Sequence, residues 1–152
     1  MPAPTVGSVA PEFTLNSTSG QKVSLSQFHG TNRVLLAFFP AAFSSVCTAE
    51  MCAFTEDYDT FAKAGVKVLP ISVDGVHSLK EFKAKNNLSV ELLSDFKRDV
   101  SRAYGTLLEE HFLSNRAYFL IGSDGVVQWA HVEEHPGKSR TSAELLAAIS
   151  GS

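Results

Sequence analysis

The segment Arg33 to Phe39, RVLLAFF, carries six apolar residues in a row after its leading arginine and stops at Pro40. A strand with one wet face alternates apolar and polar residues. An unbroken apolar run instead signals a strand covered on both faces, as at the centre of a sheet with helices above and below. Pro40, which lacks the N–H that a ladder needs, ends it. Val66 to Val73 repeats the signal. Between the two runs, Ser45 to Lys63 contains neither Gly nor Pro. Its Val46, Phe54, Tyr58 and Phe61 recur at spacings that fit one helical face, and Gly65 supplies a stop. Strand, turn, long helix and second buried strand form the first unit of an α/β chain.

The flanking segments complete the pattern. Residues 1 to 11, with three prolines, read as an extended lead-in, and Phe13–Leu15 with Val23–Leu25 around Ser19-Gly20 read as a short hairpin ornamenting the core. Ser78 to Lys85 places Leu79 and Phe82 three apart on a short amphipathic helix, a short Leu92-Leu93 segment follows, and Asp99 to Tyr104 is a helical turn stopped by Gly105. Ala117–Ile121 and Val126–Val132 flank Gly122-Ser-Asp-Gly125 as a hairpin. Ser139 or Thr141 can cap a last helix, and Glu144 completes a capping box with Thr141. The core order is β-α-β-α-β-β-α. No repeat, low-complexity tract or linker divides residues 1–152, so a single domain is expected.

Composition sets limits on partners. With 13 Lys plus Arg against 16 Asp plus Glu, and no basic run, the electrostatic footprint of a nucleic-acid binder is missing. No stretch approaches the roughly 20 apolar residues of a membrane span, and the start carries no charged and apolar leader, so a soluble cytoplasmic protein is expected. Two cysteines are too few for a disulfide scaffold in a chain of this size, and a reducing compartment leaves them as thiols.

Cys47 falls just after the turn that follows a buried strand, at the beginning of the long helix. There the free backbone N–H groups and the helix dipole favour negative charge, and a thiol should ionise more easily. Ser44 stands three residues before it and Pro40 seven before it. The Ser44 hydroxyl is one short turn from the sulfur, placed to donate to a thiolate or to a substrate oxygen. Out of context a cysteine like Cys47 is more often a small buried apolar residue, and Ser44 a helix cap.

The wider context changes that balance. The blocks G7-S-V-A-P-E-F-T-L15, F39-P-A-A-F-S-S-V-C-T-A-E50, L92-L-S-D95, Y104-G105 and N115-R-A-Y-F-L-I121 resemble, in order, those of a peroxiredoxin over nearly the whole chain. The resemblance implies a thioredoxin-like fold with a central mixed sheet flanked by helices and an N-terminal hairpin extension. It also implies a thiol peroxidase needing neither metal nor organic cofactor. In the family block P-x-x-x-T/S-x-x-C, Cys47 takes the place of the peroxidatic cysteine, Pro40 shields the pocket, and Ser44 holds the hydroxyl position, where Thr is commoner. The family arginine of R-x-x-F/Y-x-I/L falls on Arg116, which would favour the thiolate and hold the peroxide oxygens. Glu50 is either a first-turn dipole partner or the acceptor that orients Arg116. The chemistry implied is attack of the Cys47 thiolate on hydrogen peroxide or an organic hydroperoxide, giving a sulfenic acid, with electrons returned by thioredoxin or a glutaredoxin-type thiol donor.

Cys52, five residues on, resembles the resolving position of the bacterioferritin-comigratory or Q type, where it would close an intramolecular disulfide. The block around Cys47 equally resembles the AhpE-type subgroup, in which an external thiol resolves, and Cys52 would then be structural. The rival readings are a general thiol–disulfide oxidoreductase, which wants C-x-x-C, and a non-enzymatic thioredoxin-like binding or holdase module. Both a monomer and a homodimer fit the sequence. His131-Val-Glu-Glu134-His135 matches a zinc-protease pattern in letters only, because it follows a strand and runs into Pro136-Gly137. His29, His77 and His111 have no metal-spaced partner.

Overall fold

The structure is a computed structural model and describes residues 3–151; Met1 and Pro2 of the expected lead-in lie outside the described residues. The chain forms β1 (Thr14–Ser17), β2 (Lys22–Ser24), β3 (Arg33–Phe38), α1 (Ser45–Glu56), α2 (Tyr58–Lys63), β4 (Val66–Ser72), α3 (Val76–Asn86), β5 (Leu93–Ser94), α4 (Asp99–Ala103), β6 (Leu107–Leu108), β7 (Leu113–Ser114), β8 (Ala117–Ile121), β9 (Val127–Val132) and α5 (Ser142–Ser150). Seven strands make one sheet in the order β2-β1-β5-β4-β3-β8-β9, and β6 pairs with β7 in a separate ribbon. β3 runs parallel to β4 and antiparallel to β8, so the sheet is mixed.

β3 is central and is covered on both faces. Leu35, Ala37 and Phe39 enter the core beneath the helices together with Cys47, Met51, Phe54, Phe61, Leu79 and Leu145. Val34, Leu36 and Phe38 enter a second core on the opposite face, with Phe13, Tyr104 and Phe119. The two sets are the two faces of one pleated strand, which is why its sequence does not alternate. Pro70 is tolerated inside β4 because β5 pairs only with Ile71 and Ser72 and does not reach it.

Several boundaries differ from the sequence expectation. The helix expected over 45–63 is two helices, because Asp57, a weak helix former, adopts φ −99°, ψ 13° and turns the chain. The bend lets Phe54 and Phe61 meet edge to face with ring centroids 5.8 Å apart. α3 begins at Val76 behind Gly75, two residues before the expected Ser78. The N-terminal hairpin is more than an ornament: β1 pairs with β5 and so extends the main sheet. The lead-in is fastened too, by Gly7 and Ala10 N–H groups donating to Val127 and Gly125 carbonyls. Of the two candidate caps for α5 it is Thr141 that serves. Its hydroxyl accepts from Glu144 N–H at 3.1 Å and Glu144 Oε1 accepts from Thr141 N–H at 3.0 Å. Among the described residues no helix is long and apolar enough to cross a membrane.

Candidate active site

The register of β3 against β8 sets Phe38 opposite Ala117. Pro40, two residues beyond Phe38, and Arg116, one before Ala117, therefore leave the sheet at the same end. The loop from Pro40 to Ser44 is held by Asp74 at the end of β4, whose Oδ2 accepts from Ala42 N–H at 2.8 Å and from the Ser72 hydroxyl at 2.7 Å. Phe43 takes a left-handed conformation, φ 67°, and lays its half-exposed ring edge to face on Phe82. Ser44 then caps α1 through its backbone: its carbonyl accepts from Thr48 N–H at 2.9 Å and from the Thr48 hydroxyl at 2.7 Å.

Cys47 is thus the third residue of α1 and fully buried. Arg116 reaches it across 69 residues of sequence, donating from Nη2 to Sγ at 3.0 Å. The same guanidinium donates from Nη1 to Glu50 Oε1 at 2.9 Å and from Nε and Nη2 to the Pro136 carbonyl at 3.3 and 3.2 Å. Its backbone is locked as well: Asn115 Oδ1 accepts Arg116 N–H at 2.8 Å while Asn115 Nδ2 donates to the Glu133 carbonyl at 2.8 Å. Glu50 Oε2 accepts from the Tyr118 hydroxyl, which in turn accepts from Arg140 N–H at 3.0 Å. Burial pushes the Glu50 carboxyl up, against the pull of Arg116 and Tyr118. Burial also works to lower the Arg116 pKa, but the charges of Glu50 and Cys47 outweigh it and hold the guanidinium above its ordinary value.

Of the residues singled out in the sequence, Cys47, Arg116 and Glu50 form one bonded constellation, and Glu50 meets Arg116 as an acceptor. Pro40 stands half-buried at the mouth of the loop. Ser44 is exposed and its hydroxyl donates to the Ala41 carbonyl at 3.0 Å. Cys52 is a free, partly buried thiol further along α1, packed beside the core. Tyr118, Pro136 and Asn115 were not singled out. Tyr118 carried a legible signal: a phenol inside the buried run AYFLI has to find a partner for its hydroxyl. The Pro136 carbonyl carried none.

The segment that matches a zinc protease in letters is part strand and part turn. His131 lies on β9 with Nε2 3.1 Å from Glu133 Oε1, and His135 accepts from Gly137 N–H at 3.2 Å. Among the described residues no group of three or more His, Cys, Asp or Glu is disposed to hold a metal ion.

Comparison with known proteins bears on this geometry. Residues 6–130 match the model of the AhpC/TSA family. The chain is 39% identical over 139 residues to the chloroplastic peroxiredoxin Q of Oryza sativa subsp. japonica, covering 88% of this chain and 64% of that one, so it spans less than two-thirds of that relative's length. It is 33% identical over 149 residues to alkyl hydroperoxide reductase E of Mycobacterium tuberculosis, covering 95% of this chain and 97% of that one. The reduced 2-Cys peroxiredoxin of Plasmodium vivax superposes with a TM-score of 0.89 at 33% identity, over 97% of this chain and 81% of that one. The shared architecture is the thioredoxin-like fold.

Proposed function

The chain belongs to the AhpC/TSA family, and from that premise we propose that it is a thiol-dependent peroxidase whose nucleophile is Cys47. The observation that carries the reading is the Arg116 donor 3.0 Å from a sulfur buried in the first turn of α1. A guanidinium donates and never accepts, so what it pairs with best is an anion, here the thiolate. The thiolate attacks one peroxide oxygen and the O–O bond breaks. Sulfur keeps that oxygen as a sulfenic acid, and the other oxygen leaves with the electron pair and takes up from solvent the proton that the Cys47 thiol had released, departing as water or an alcohol. Charge grows on the departing oxygen. Arg116 and the first-turn amides of α1 are preorganised donors for it, in the manner of an oxyanion hole. Rotation of the Ser44 hydroxyl away from Ala41 adds a donor, Pro40 screens the mouth from water, and Glu50 orients the guanidinium.

Cys52 is the resolving thiol of this reading: it displaces water from the sulfenic acid to form an intramolecular disulfide. A dithiol donor of the thioredoxin or glutaredoxin type, in a reducing cytoplasmic compartment, supplies the two electrons that reopen the disulfide. Hydrogen peroxide and organic hydroperoxides are the substrates. Mass spectrometry after one equivalent of hydrogen peroxide tests the scheme. The wild type should lose two hydrogens, and a Cys52→Ser variant should gain one oxygen at Cys47. Peroxide consumption that survives Cys47→Ser overturns the assignment of the nucleophile.

A further inference from the structure

Tyr118 sits on β8 with its ring in the core beneath the helices and its hydroxyl sealed from water. That hydroxyl donates to Glu50 Oε2 and accepts the Arg140 N–H. It thereby touches both supports of the reactive guanidinium. One support is Glu50, which takes Nη1 of Arg116 on its other oxygen. The second is the segment between β9 and α5, whose Pro136 carbonyl takes Nε and Nη2 and whose Arg140 amide ends on the phenol. We propose that Tyr118 is a positioning residue for the peroxidase reaction: its single hydroxyl holds Glu50 and the 136–140 segment in register, and through them fixes the plane of Arg116 and its line to Cys47 Sγ. The proposal rests on the function assigned above to Cys47.

The physical argument is one of constraint. A carboxylate held on one oxygen only can swing about its terminal torsion, and the guanidinium bonded to it swings with it. Among the described residues Glu50 Oε2 has no hydrogen-bond donor besides Tyr118. Remove the phenol oxygen and two polar groups lose their partner together, the buried Glu50 Oε2 and the half-buried Arg140 amide. Misplacing a donor by a fraction of its bond length near a reacting atom costs rate out of proportion to stability.

A pH signature separates positioning from mere packing. Glu50 faces Arg116 and Tyr118 from β8 and its flank, Cys47 from its own helix, and Glu133 and Arg140 from the segment after β9. Burial already favours its protonated form, and loss of the Tyr118 donor strengthens that bias. A protonated Glu50 no longer anchors Arg116 as an anion, so the acid limb of the rate profile must move to higher pH.

The test is Tyr118→Phe, with the second-order rate constant for hydrogen peroxide measured from pH 5 to 9 alongside thermal unfolding. The expected result is a rate at pH 7 lower by about tenfold and an acid limb displaced upward. Added to Glu50→Gln, Tyr118→Phe should cost less rate than it costs alone, because the Glu50 link is shared by both changes and only the hold on the 136–140 segment is left to lose. Should Tyr118→Phe fail to fold, 3-fluorotyrosine at 118 serves in its place. It keeps the hydroxyl but donates more strongly, and must move the acid limb downward. An active wild type whose rate and profile are matched by Tyr118→Phe, or a limb unmoved by the fluorinated ring, overturns the proposal alone. A wild type inert toward peroxide overturns it together with the function on which it rests.

Discussion

Treating the reduced protein with one equivalent of hydrogen peroxide should unwind the start of α1 if Cys52 resolves Cys47. Both thiols lie on one helix, Ser45–Glu56. Five residues of ideal helix give ~7.5 Å of rise and ~140° of rotation, which puts the two Cα atoms about 8.7 Å apart. A disulfide needs about 4.4–6.8 Å, so the pair must close by at least about 2 Å. In that case the less buried end of the pair would yield. Cys52 is flanked by Met51 and Phe54, both fully buried, whereas Ser44, Ser45 and Val46 lead into Cys47 from solvent. Freeing the first turn breaks the Thr48 N–H bond to Ser44 and the next three of the ladder, roughly four bonds at ~1 kcal/mol each. Protection of those amides should therefore fall by about 10³ on oxidation. Hydrogen-exchange mass spectrometry of peptides covering residues 44–56, reduced against oxidised and against Cys52→Ser, measures this directly. A disulfide formed with protection of 48–51 unchanged would refute the helix argument. A free Cys52 after one equivalent, with unchanged exchange, would assign resolution to an external thiol.

Other outcomes follow from individual contacts. Cys52→Ser should prolong the life of the sulfenic acid and increase over-oxidation at higher peroxide, read as sulfinic mass; equal over-oxidation of wild type and variant would count against a resolving role. Arg116→Lys should slow the reaction with peroxide by about 10², because one ammonium cannot serve Cys47, Glu50 and Pro136 in a fixed plane; a rate within twofold of wild type would place the guanidinium outside the chemistry. Asp95 is buried and accepts from Val100 N–H, Ser101 N–H and the Ser101 hydroxyl, so Asp95→Ala should cost about 3 kcal/mol, or roughly 6–12 °C in Tm, and a loss below about 1 kcal/mol would be inconsistent with those contacts. For Glu133, burial alone would raise the carboxyl pKa, but the Arg140 and His131 contacts prevail and hold it below 4.5. Its contribution to stability is present above that value and is lost as pH falls through the folded-state value, so Glu133→Gln should flatten the acid limb of stability against pH. Glu50 has the opposite sign, its pKa being raised by burial: its contribution is complete below the ordinary carboxylate value and is lost as pH rises through the folded-state one.

What the sequence made legible was whatever depended on near neighbours. Leu35 and Leu36 face opposite cores, and their adjacency already marked β3 as buried twice. Thr141 and Glu144, three apart, announced the capping box that the structure contains. Arg116 was different. Nothing around it in the chain marks it as more than a charge before a strand, and only the family resemblance assigned it a role, because its partner lies 69 residues away. Tyr118 and the Pro136 carbonyl are site components for the same reason: their importance exists only once β8, α1 and the 133–141 segment have met. The pairing of β5 with β1 likewise arises from packing, since Leu93-Ser94 carries no strong local preference.

The sulfur and the guanidinium belong to parts of the molecule with unequal mechanical character. Arg116 hangs from the end of β8, which pairs along its whole length with the central strand β3, and its backbone is locked by Asn115. Cys47 belongs to the end of a helix, whose first bonds are the easiest to open. In a cycle that pulls the sulfur toward Cys52, the nucleophile travels while the charge that receives it stays at its station. On reduction the thiolate need not rediscover its place by refolding alone. A fixed cation marks the berth, and the helix end rewinds toward it. In such a cycle the sheet would store the geometry of the reaction through the interval in which the helix gives it up.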